Sequence, residues 1–198
     1  EKKIEKTILD AINFVFQKNY EFSEYDINKI EKKFHLEAEK LLPKNNYIGL
    51  SITQGNVYRK KEWPLNNIIK LAEKLLEINK IPVFFIEKKN IELKNKINTL
   101  LPKALFPEHL SNYNSPALVA CLAKRLDFAI SIDNGVMHML ALSKVPIITL
   151  FGPTDPAKFA PAYKNSIILD SKKLYKTKNV SAITVEDVLQ AAKQFVSF

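Results

Sequence analysis

The chain reads DFAISIDNGVMH over residues 127–138, and this short stretch already indicates the class of fold. An apolar run of strand length comes first, Asp133-Asn134-Gly135 then make a turn, and residues that favour a helix follow. Strands that are apolar on both faces are typical of parallel sheets covered by helices on both sides. Ligands of such sheets bind beyond the carboxyl ends of the strands, which is where Gly135 lies.

The same alternation of apolar strands and amphipathic helices runs through most of the chain. It predicts strands at 47–52, 81–86, 104–106, 127–132, 146–151 and 166–169. It predicts helices at 2–18, 26–42, 65–79, 90–101, 115–125, 135–143 and 185–196. We therefore expect an α/β fold, a Rossmann-like sandwich with a parallel sheet over residues 45–198, preceded by a helical lead-in over 1–44.

The composition excludes several classes of protein. A chain of 198 residues, 46% of them hydrophobic, can bury one core, and no apolar run approaches the ~18 residues that span a bilayer. The single cysteine argues against a disulfide framework and for a reducing compartment. The net charge of +9 rests almost wholly on scattered lysines, since only Arg59 and Arg125 of the 30 basic residues are arginine. This favours a solvated basic surface over a nucleic-acid site.

The loop after the first predicted strand carries residue types that bind phosphate. Thr53 and Gln54 can donate hydrogen bonds to phosphate oxygens, and Gly55 allows a close backbone approach. Lys60 or Lys61 can then neutralise a diphosphate as a compact positive charge. A basic loop of this kind can equally be ordinary solvated surface, so the loop gains meaning only together with others.

Two further loops follow later strands. Asp133, Asn134 and Gly135 precede a helix whose first-turn amides favour anions, and His138 lies one turn into that helix. The third loop reads FGPTDP over 151–156 and is stiffened by its prolines. Each loop alone could be a capped turn. Because the carboxyl ends of parallel strands meet at one edge of a sheet, we expect the three loops to share one pocket.

Three motifs in these loops resemble a known family: KxWP over 61–64, DxGxMH over 133–138 and FGPTxP over 151–156. Their order and approximate spacing are similar to those of the ADP-heptose heptosyltransferases of glycosyltransferase family 9, over residues 22–198. The resemblance implies one half of a GT-B enzyme, in which two Rossmann-like domains face each other across a cleft. Residues 45–198 would be the domain that binds the nucleotide-sugar donor. Residues 1–44 would be a helical linker from an amino-terminal GT-B domain outside this chain, where the acceptor site and the catalytic base are expected.

The resemblance also implies roles for residues near the first loop. Lys61 matches the family lysine that contacts the donor diphosphate and ribose, and Thr53 and Gln54 match loop positions beside it. An acidic residue after the second strand grips the ribose in the family. Glu92 is the best match for it, and Glu87 is the rival.

In the second loop, Asp133, Gly135 and His138 match the signature that closes over the diphosphate and sugar. Asn134 stands where the family usually has Ser or Thr, so a hydrogen-bonding side chain is kept and a hydroxyl is lost. The resemblance implies donor binding for all four, with Lys61, Asp133 and His138 also supporting catalysis.

The reaction implied is an inverting transfer of heptose, or a related sugar, from a nucleotide-diphosphate sugar to a lipopolysaccharide core acceptor. ADP-heptose is the expected donor, and the acceptor would be a lipid-linked saccharide. The expected location is cytoplasmic, with peripheral contact at the inner membrane. We expect no metal or other cofactor, because His35, His109 and His138 lack the spacing of a metal site.

Two other functions fit the same residues. The chain could be a stand-alone module that binds a nucleotide or sugar without catalysis, or a GT-B-like nucleotide-sugar epimerase. An epimerase should prefer UDP to ADP. If the transferase interpretation is right, this chain alone should bind nucleotide weakly and transfer no sugar.

Overall fold

The computed structural model describes residues 3–23, 25–54, 60–161 and 163–196. A parallel sheet lies at its centre, built from the strands β1 Tyr47–Ser51, β2 Ile81–Phe85, β3 Leu126–Ile132, β4 Ile147–Phe151 and β5 Ser166–Asp170. Their spatial order is β2-β1-β3-β4-β5, and every neighbouring pair is parallel. The expected Rossmann-like α/β fold is confirmed.

Helices surround the sheet and precede it. They are α1 Ile4–Phe16, α2 Lys32–Leu41, α3 Leu65–Glu77, α4 Ile91–Leu100, α5 Pro107–Leu110, α6 Pro116–Ala123, α7 Gly135–Leu142, α8 Pro156–Phe159, α9 Ser171–Tyr175 and α10 Val185–Ala192. Short 3-10 turns span Ile27–Lys29 and Val180–Ala182.

The sheet buries both of its faces, because successive side chains of a strand point to opposite sides. Phe84 packs with α3, α4 and α10 on one face, whereas its neighbour Phe85 packs with α2, α6 and α7 on the other. Ile148 and Ile147 divide between the two faces in the same way. Two apolar layers therefore hold the sheet, as the continuous apolar runs of the sequence predicted.

Two predicted elements differ from the structure. The helix expected over 26–42 is broken, since the Asp26 side chain accepts from the Asn28 amide, which closes a 3-10 turn, and Ile30 and Glu31 are extended before α2 begins. The strand expected over 104–106 is reduced to one bridge between Leu105 and Val83. Pro107 starts α5 two residues later, which leaves no room for a longer strand.

The glycines of the second and third loops serve different needs. A Cβ on Gly152 would lie 2.8 Å from both the Lys178 carbonyl oxygen and the Val180 nitrogen, so the backbones approach too closely for any side chain. A Cβ on Gly135 would meet nothing within 4 Å, and Gly135 does not have a positive φ. The fold therefore needs a glycine at 152, whereas nothing in the described chain requires one at 135.

We predict that Gly152→Ala lowers the free energy of unfolding by about 2 kcal/mol or more, because the added methyl overpacks a backbone contact. Gly135→Ala should leave it unchanged or raise it by up to ~1 kcal/mol, since alanine is the better helix former. Urea unfolding of both variants measures the difference. Equal losses for the two variants would contradict this interpretation of the packing.

Candidate functional site

The reversal of strand order between β1 and β3 creates a crevice at the carboxyl edge of the sheet. The chain leaves β1 towards α3 on one face and leaves β3 towards α7 on the other. Loops that diverge in this way leave space between them, and ligands of open α/β sheets bind in that space. Thr53 and Gln54 lie at the end of β1, and Asp133 and Asn134 lie at the end of β3.

Lys61 and Asp133 meet in this crevice. The Lys61 ammonium forms an ion pair with Asp133 Oδ2 and also donates to the Asp133 carbonyl oxygen at 3.3 Å. Only 9% of Lys61 and 6% of Asp133 are exposed, so the pair is largely withdrawn from water. The Thr154 hydroxyl donates to the same Oδ2 at 2.6 Å. Side chains from all three predicted loops thus converge on one carboxylate.

Asn134 connects the ends of two strands. Its Nδ2 donates to Ser51 Oγ at 2.8 Å and to the Thr53 carbonyl oxygen at 2.9 Å. Its Oδ1 caps α7 by accepting from the Met137 amide at 2.8 Å and also accepts from the Ser131 hydroxyl at 3.4 Å. An amide has both donors and acceptors, whereas a single hydroxyl could not make all these contacts. Asn134 therefore spends its hydrogen bonds within the protein and shapes the crevice.

The first loop is closed by Gln54, whose Oε1 accepts from the Lys61 backbone amide at 2.9 Å. Trp63 anchors the same loop, because its indole nitrogen donates to the buried Ile183 carbonyl oxygen at 2.8 Å. Gly55, which the sequence singled out, lies outside the described residues. Of the two candidate cations Lys60 is exposed, so Lys61 is the lysine that the structure brings to the crevice.

A cavity of about 550 Å³ opens beside the crevice, between the first loop and the start of α4. Thr53, Gln54, Trp63 and Glu92 line it. Glu92 lies in the first turn of α4, whereas the exposed Glu87 pairs with Lys89 at 2.5 Å and does not line this cavity. The structure therefore groups Glu92, rather than Glu87, with Thr53 and Gln54.

His138 lies apart from that cavity. It lines a second cavity of about 570 Å³, together with Tyr25 and Tyr163, between α7 and the amino-terminal segment. The structure places Gly135 at the first position of α7, between Asn134 and His138 along the chain. Of the predicted site residues, Thr53, Gln54 and Glu92 thus line the first cavity, whereas His138 lines the second.

Two further residues contact this site, although the sequence assigns neither of them a role. Thr154 belongs to the FGPTxP motif of the third loop, which by itself gives its side chain no function. Lys172, at the start of α9, donates from Nζ to the Thr154 carbonyl oxygen at 2.7 Å. The fixed position of Thr154 in the motif FGPTxP is a signal that could identify it. Nothing in the lysine-rich sequence distinguishes Lys172 from the other lysines.

A half-buried acid, Glu108, also lies near the end of β2. The pKa of Glu108 is raised to about 7, chiefly by burial and also by repulsion from Glu87, while the positive charge of Lys88 lowers it. Burial likewise lowers the pKa of His109. Glu108 Oε2 and His109 Nε2 are both buried without a hydrogen-bond partner. Neither residue lines the cavity that contains Glu92.

We predict that Glu108 makes the stability depend on pH. The pKa of Glu108 in the folded protein lies above the ordinary 4.5. Its stabilising contribution to the free energy of unfolding is therefore full below pH 4.5 and is lost as the pH rises through 7. Relative to the wild type, the free energy of unfolding of Glu108→Gln should therefore rise by up to about 3 kcal/mol between pH 5 and pH 8. Urea unfolding at both values tests this, with the exposed Glu73→Gln as the control. A pH-independent difference between Glu108→Gln and the wild type would contradict it.

The described residues contain neither a group suited to a metal ion nor a helix suited to a bilayer. No group of three or more His, Cys, Asp or Glu within these ranges is arranged to hold a metal ion. In the same part of the chain, no helix has the length and apolar character needed to cross a bilayer. Cys121 is buried, and burial raises its pKa.

The profile of glycosyltransferase family 9 (heptosyltransferase) matches residues 2–189. Lipooligosaccharide heptosyltransferase 2 of Haemophilus influenzae is 28% identical over 111 residues, which are 55% of this chain and 32% of that protein. The glycosyltransferase family 9 structure from Veillonella parvula superposes with a TM-score of 0.72 at 21% identity, over 84% of this chain and 52% of that one. The Escherichia coli heptosyltransferase WaaC with ADP gives 0.65 at 20% identity, over 80% and 48%.

These comparisons agree with the motifs and the fold. The two solved structures are a family 9 glycosyltransferase and a heptosyltransferase, and this chain spans about half the length of each and about a third of the Haemophilus protein. The family profile covers nearly all of the chain, including the three loops of the crevice. The chain therefore belongs to glycosyltransferase family 9.

Proposed function

We propose that this chain is the donor-binding half of a glycosyltransferase that moves heptose, or a related sugar, from a nucleotide-diphosphate sugar to a lipopolysaccharide core acceptor. The observation that carries the proposal is the buried Lys61 ammonium at the carboxyl edge between β1 and β3. A cation held there can pair with the negative charge of a diphosphate. The comparisons support heptose and ADP as the donor's parts, since two of the relatives are heptosyltransferases and one is described with ADP.

Gly135 supports the place of the diphosphate. It is the first residue of α7, where helix amides favour anions, and the fold itself does not require a glycine there. The open space over its Cα lets a phosphate approach the backbone closely. Lys61 and these amides would then stabilise the charge that develops on the nucleotide diphosphate as it leaves. No metal ion is needed in this proposal.

The two cavities support the orientation of the donor. The cavity with Thr53, Gln54 and Glu92 is of a size typical for small ligands, and the Glu92 carboxylate suits the two hydroxyls of a ribose. His138 faces the other cavity, further along α7. A nucleotide sugar has its nucleoside and its sugar on opposite sides of the diphosphate. The nucleoside would occupy the Glu92 cavity, and the sugar would extend towards His138.

The remaining steps of the proposed reaction would need groups that this chain does not supply. In an inverting transfer, an acceptor hydroxyl attacks the anomeric carbon, and a base takes its proton. We propose that an amino-terminal GT-B domain supplies this base and binds the lipid-linked saccharide, with residues 1–44 as the linker. The lipid-linked acceptor implies work at the cytoplasmic face of the inner membrane. The net charge of +9 would assist contact with anionic lipids there.

Calorimetry with three nucleotides tests the donor site. ADP should bind more tightly than UDP or GDP, and Lys61→Met should weaken ADP binding about tenfold to a hundredfold through loss of a charge-assisted contact. Lys60→Met is the matched control and should change the affinity less than twofold. Because Lys61→Met leaves Asp133 buried without its partner, the double variant Lys61→Met/Asp133→Asn separates loss of binding from loss of folding.

The alternatives give different outcomes in this experiment. Equally weak binding of the three nucleotides would count against the donor site. A preference for UDP would favour the epimerase. A preference for ADP that survives in Lys61→Met would remove Lys61 from the proposal.

We predict that this chain alone transfers no sugar. With ADP-heptose and a lipid-linked core acceptor, release of ADP should stay at the uncatalysed rate, because the expected catalytic base belongs to the other domain. A coupled assay for ADP measures this directly. Turnover by the isolated chain would overturn the proposed division between the two halves, and ADP binding without turnover by any longer form would favour the stand-alone binding module.

A further inference from the structure

Lys172 is fixed at two points. Its backbone amide donates to the buried Asp170 at the end of β5, at 2.9 Å, and this contact caps α9. Its side chain extends to the third loop, where Nζ donates to the Thr154 carbonyl oxygen at 2.7 Å. A lysine anchored at its backbone and bonded at its tip holds the loop at a fixed distance from the sheet.

Thr154 is in turn held on both sides. Its carbonyl oxygen accepts from Lys172, and its hydroxyl donates to Asp133 Oδ2 at 2.6 Å. The backbone of Gly152, two residues earlier, lies against Lys178 and Val180, so the segment after α9 also packs on this loop. The orientation of the Thr154 hydroxyl therefore depends both on α9 and on that segment.

Asp133 is where this chain of contacts reaches the crevice. Its Oδ2 accepts from Thr154 and pairs with Lys61. A carboxylate held by two donors has little freedom to rotate, whereas one held only by a lysine can move with it. The Lys61 ammonium also donates to the Asp133 carbonyl oxygen, so its place depends in part on whether Thr154 holds the Asp133 carboxylate.

We propose that Lys172 is a positioning residue of the donor site, acting through Thr154 and Asp133 on the ammonium group of Lys61. This inference rests on the proposed function, because the ligand that Lys61 would meet is the diphosphate of a nucleotide sugar. Lys172 contacts a main-chain oxygen and not Lys61 itself. Its influence is therefore on the geometry of the cation.

The first test needs no ligand. The amines of the full chain are labelled with a limiting amount of acetic anhydride, and mass spectrometry gives the extent at Lys61. Lys172→Met should raise labelling of Lys61 at least threefold, because Asp133 is then held less firmly. Lys172→Arg keeps a donor at the Thr154 carbonyl and should restore the wild-type extent. Lys173→Met, at an exposed position next along α9, should have no effect.

Lys80 is the internal reference for this experiment. It pairs with Asp127 at 2.6 Å, in a part of the sheet that Thr154 does not contact, and its labelling should stay constant. A parallel rise at Lys80 and Lys61 would show general loosening and overturn a positioning role. Unchanged labelling of Lys61 in Lys172→Met would overturn it as well.

The second test uses ADP as the probe. Lys172→Met and Thr154→Val should each weaken ADP binding about fivefold, and the double variant should be no weaker than either single one, since both act through Asp133. Additive losses would overturn the proposed path through Thr154. If the wild type binds none of the three nucleotides, the proposed function fails, and the labelling experiment still decides the role of Lys172.

Discussion

The buried ion pair of Lys61 and Asp133 is the constraint on which the crevice depends. Its two partners come from loops 72 residues apart in sequence, and they meet because β1 and β3 are neighbours in the sheet. A buried ion pair adds little net stability, because the cost of removing two charges from water offsets their attraction. Folding alone therefore gives a weak reason for this pair. The proposed diphosphate would be a second negative partner for Lys61 and so a stronger reason for a lysine at this place.

The glycines show how a motif residue can serve either the fold or a ligand. Gly152 is needed because another part of the backbone lies against it. Gly135 has no such neighbour. Two loops that look alike in sequence thus contain glycine for different reasons. Only the contact distances separate a glycine that packing requires from one that leaves space.

The sequence predicted the framework because apolar runs report burial directly. It also predicted that the loops of Lys61 and Asp133 would lie at one edge, since parallel strands bring their carboxyl ends together, but it did not predict the ion pair between the two side chains. The role of Asn134 in joining two strands was not predicted, because its partners Ser51 and Thr53 carry no sign of that contact. Helical spacing placed His138 one turn after Gly135, but the side it faces depends on how α7 packs, which spacing does not report.

Lys172 shows where reading a sequence reaches its limit. It contacts a carbonyl oxygen, a group that every residue has, and it is one of many lysines, so neither partner marks the contact. Its importance comes only from its place in a path of contacts that runs from β5 through the third loop to the end of β3. The third loop is thereby fixed by α9, and the first loop is fixed by the contact of Trp63 with Ile183. The position of the Lys61 ammonium consequently depends on the whole edge of the sheet and not only on the motif that contains Lys61.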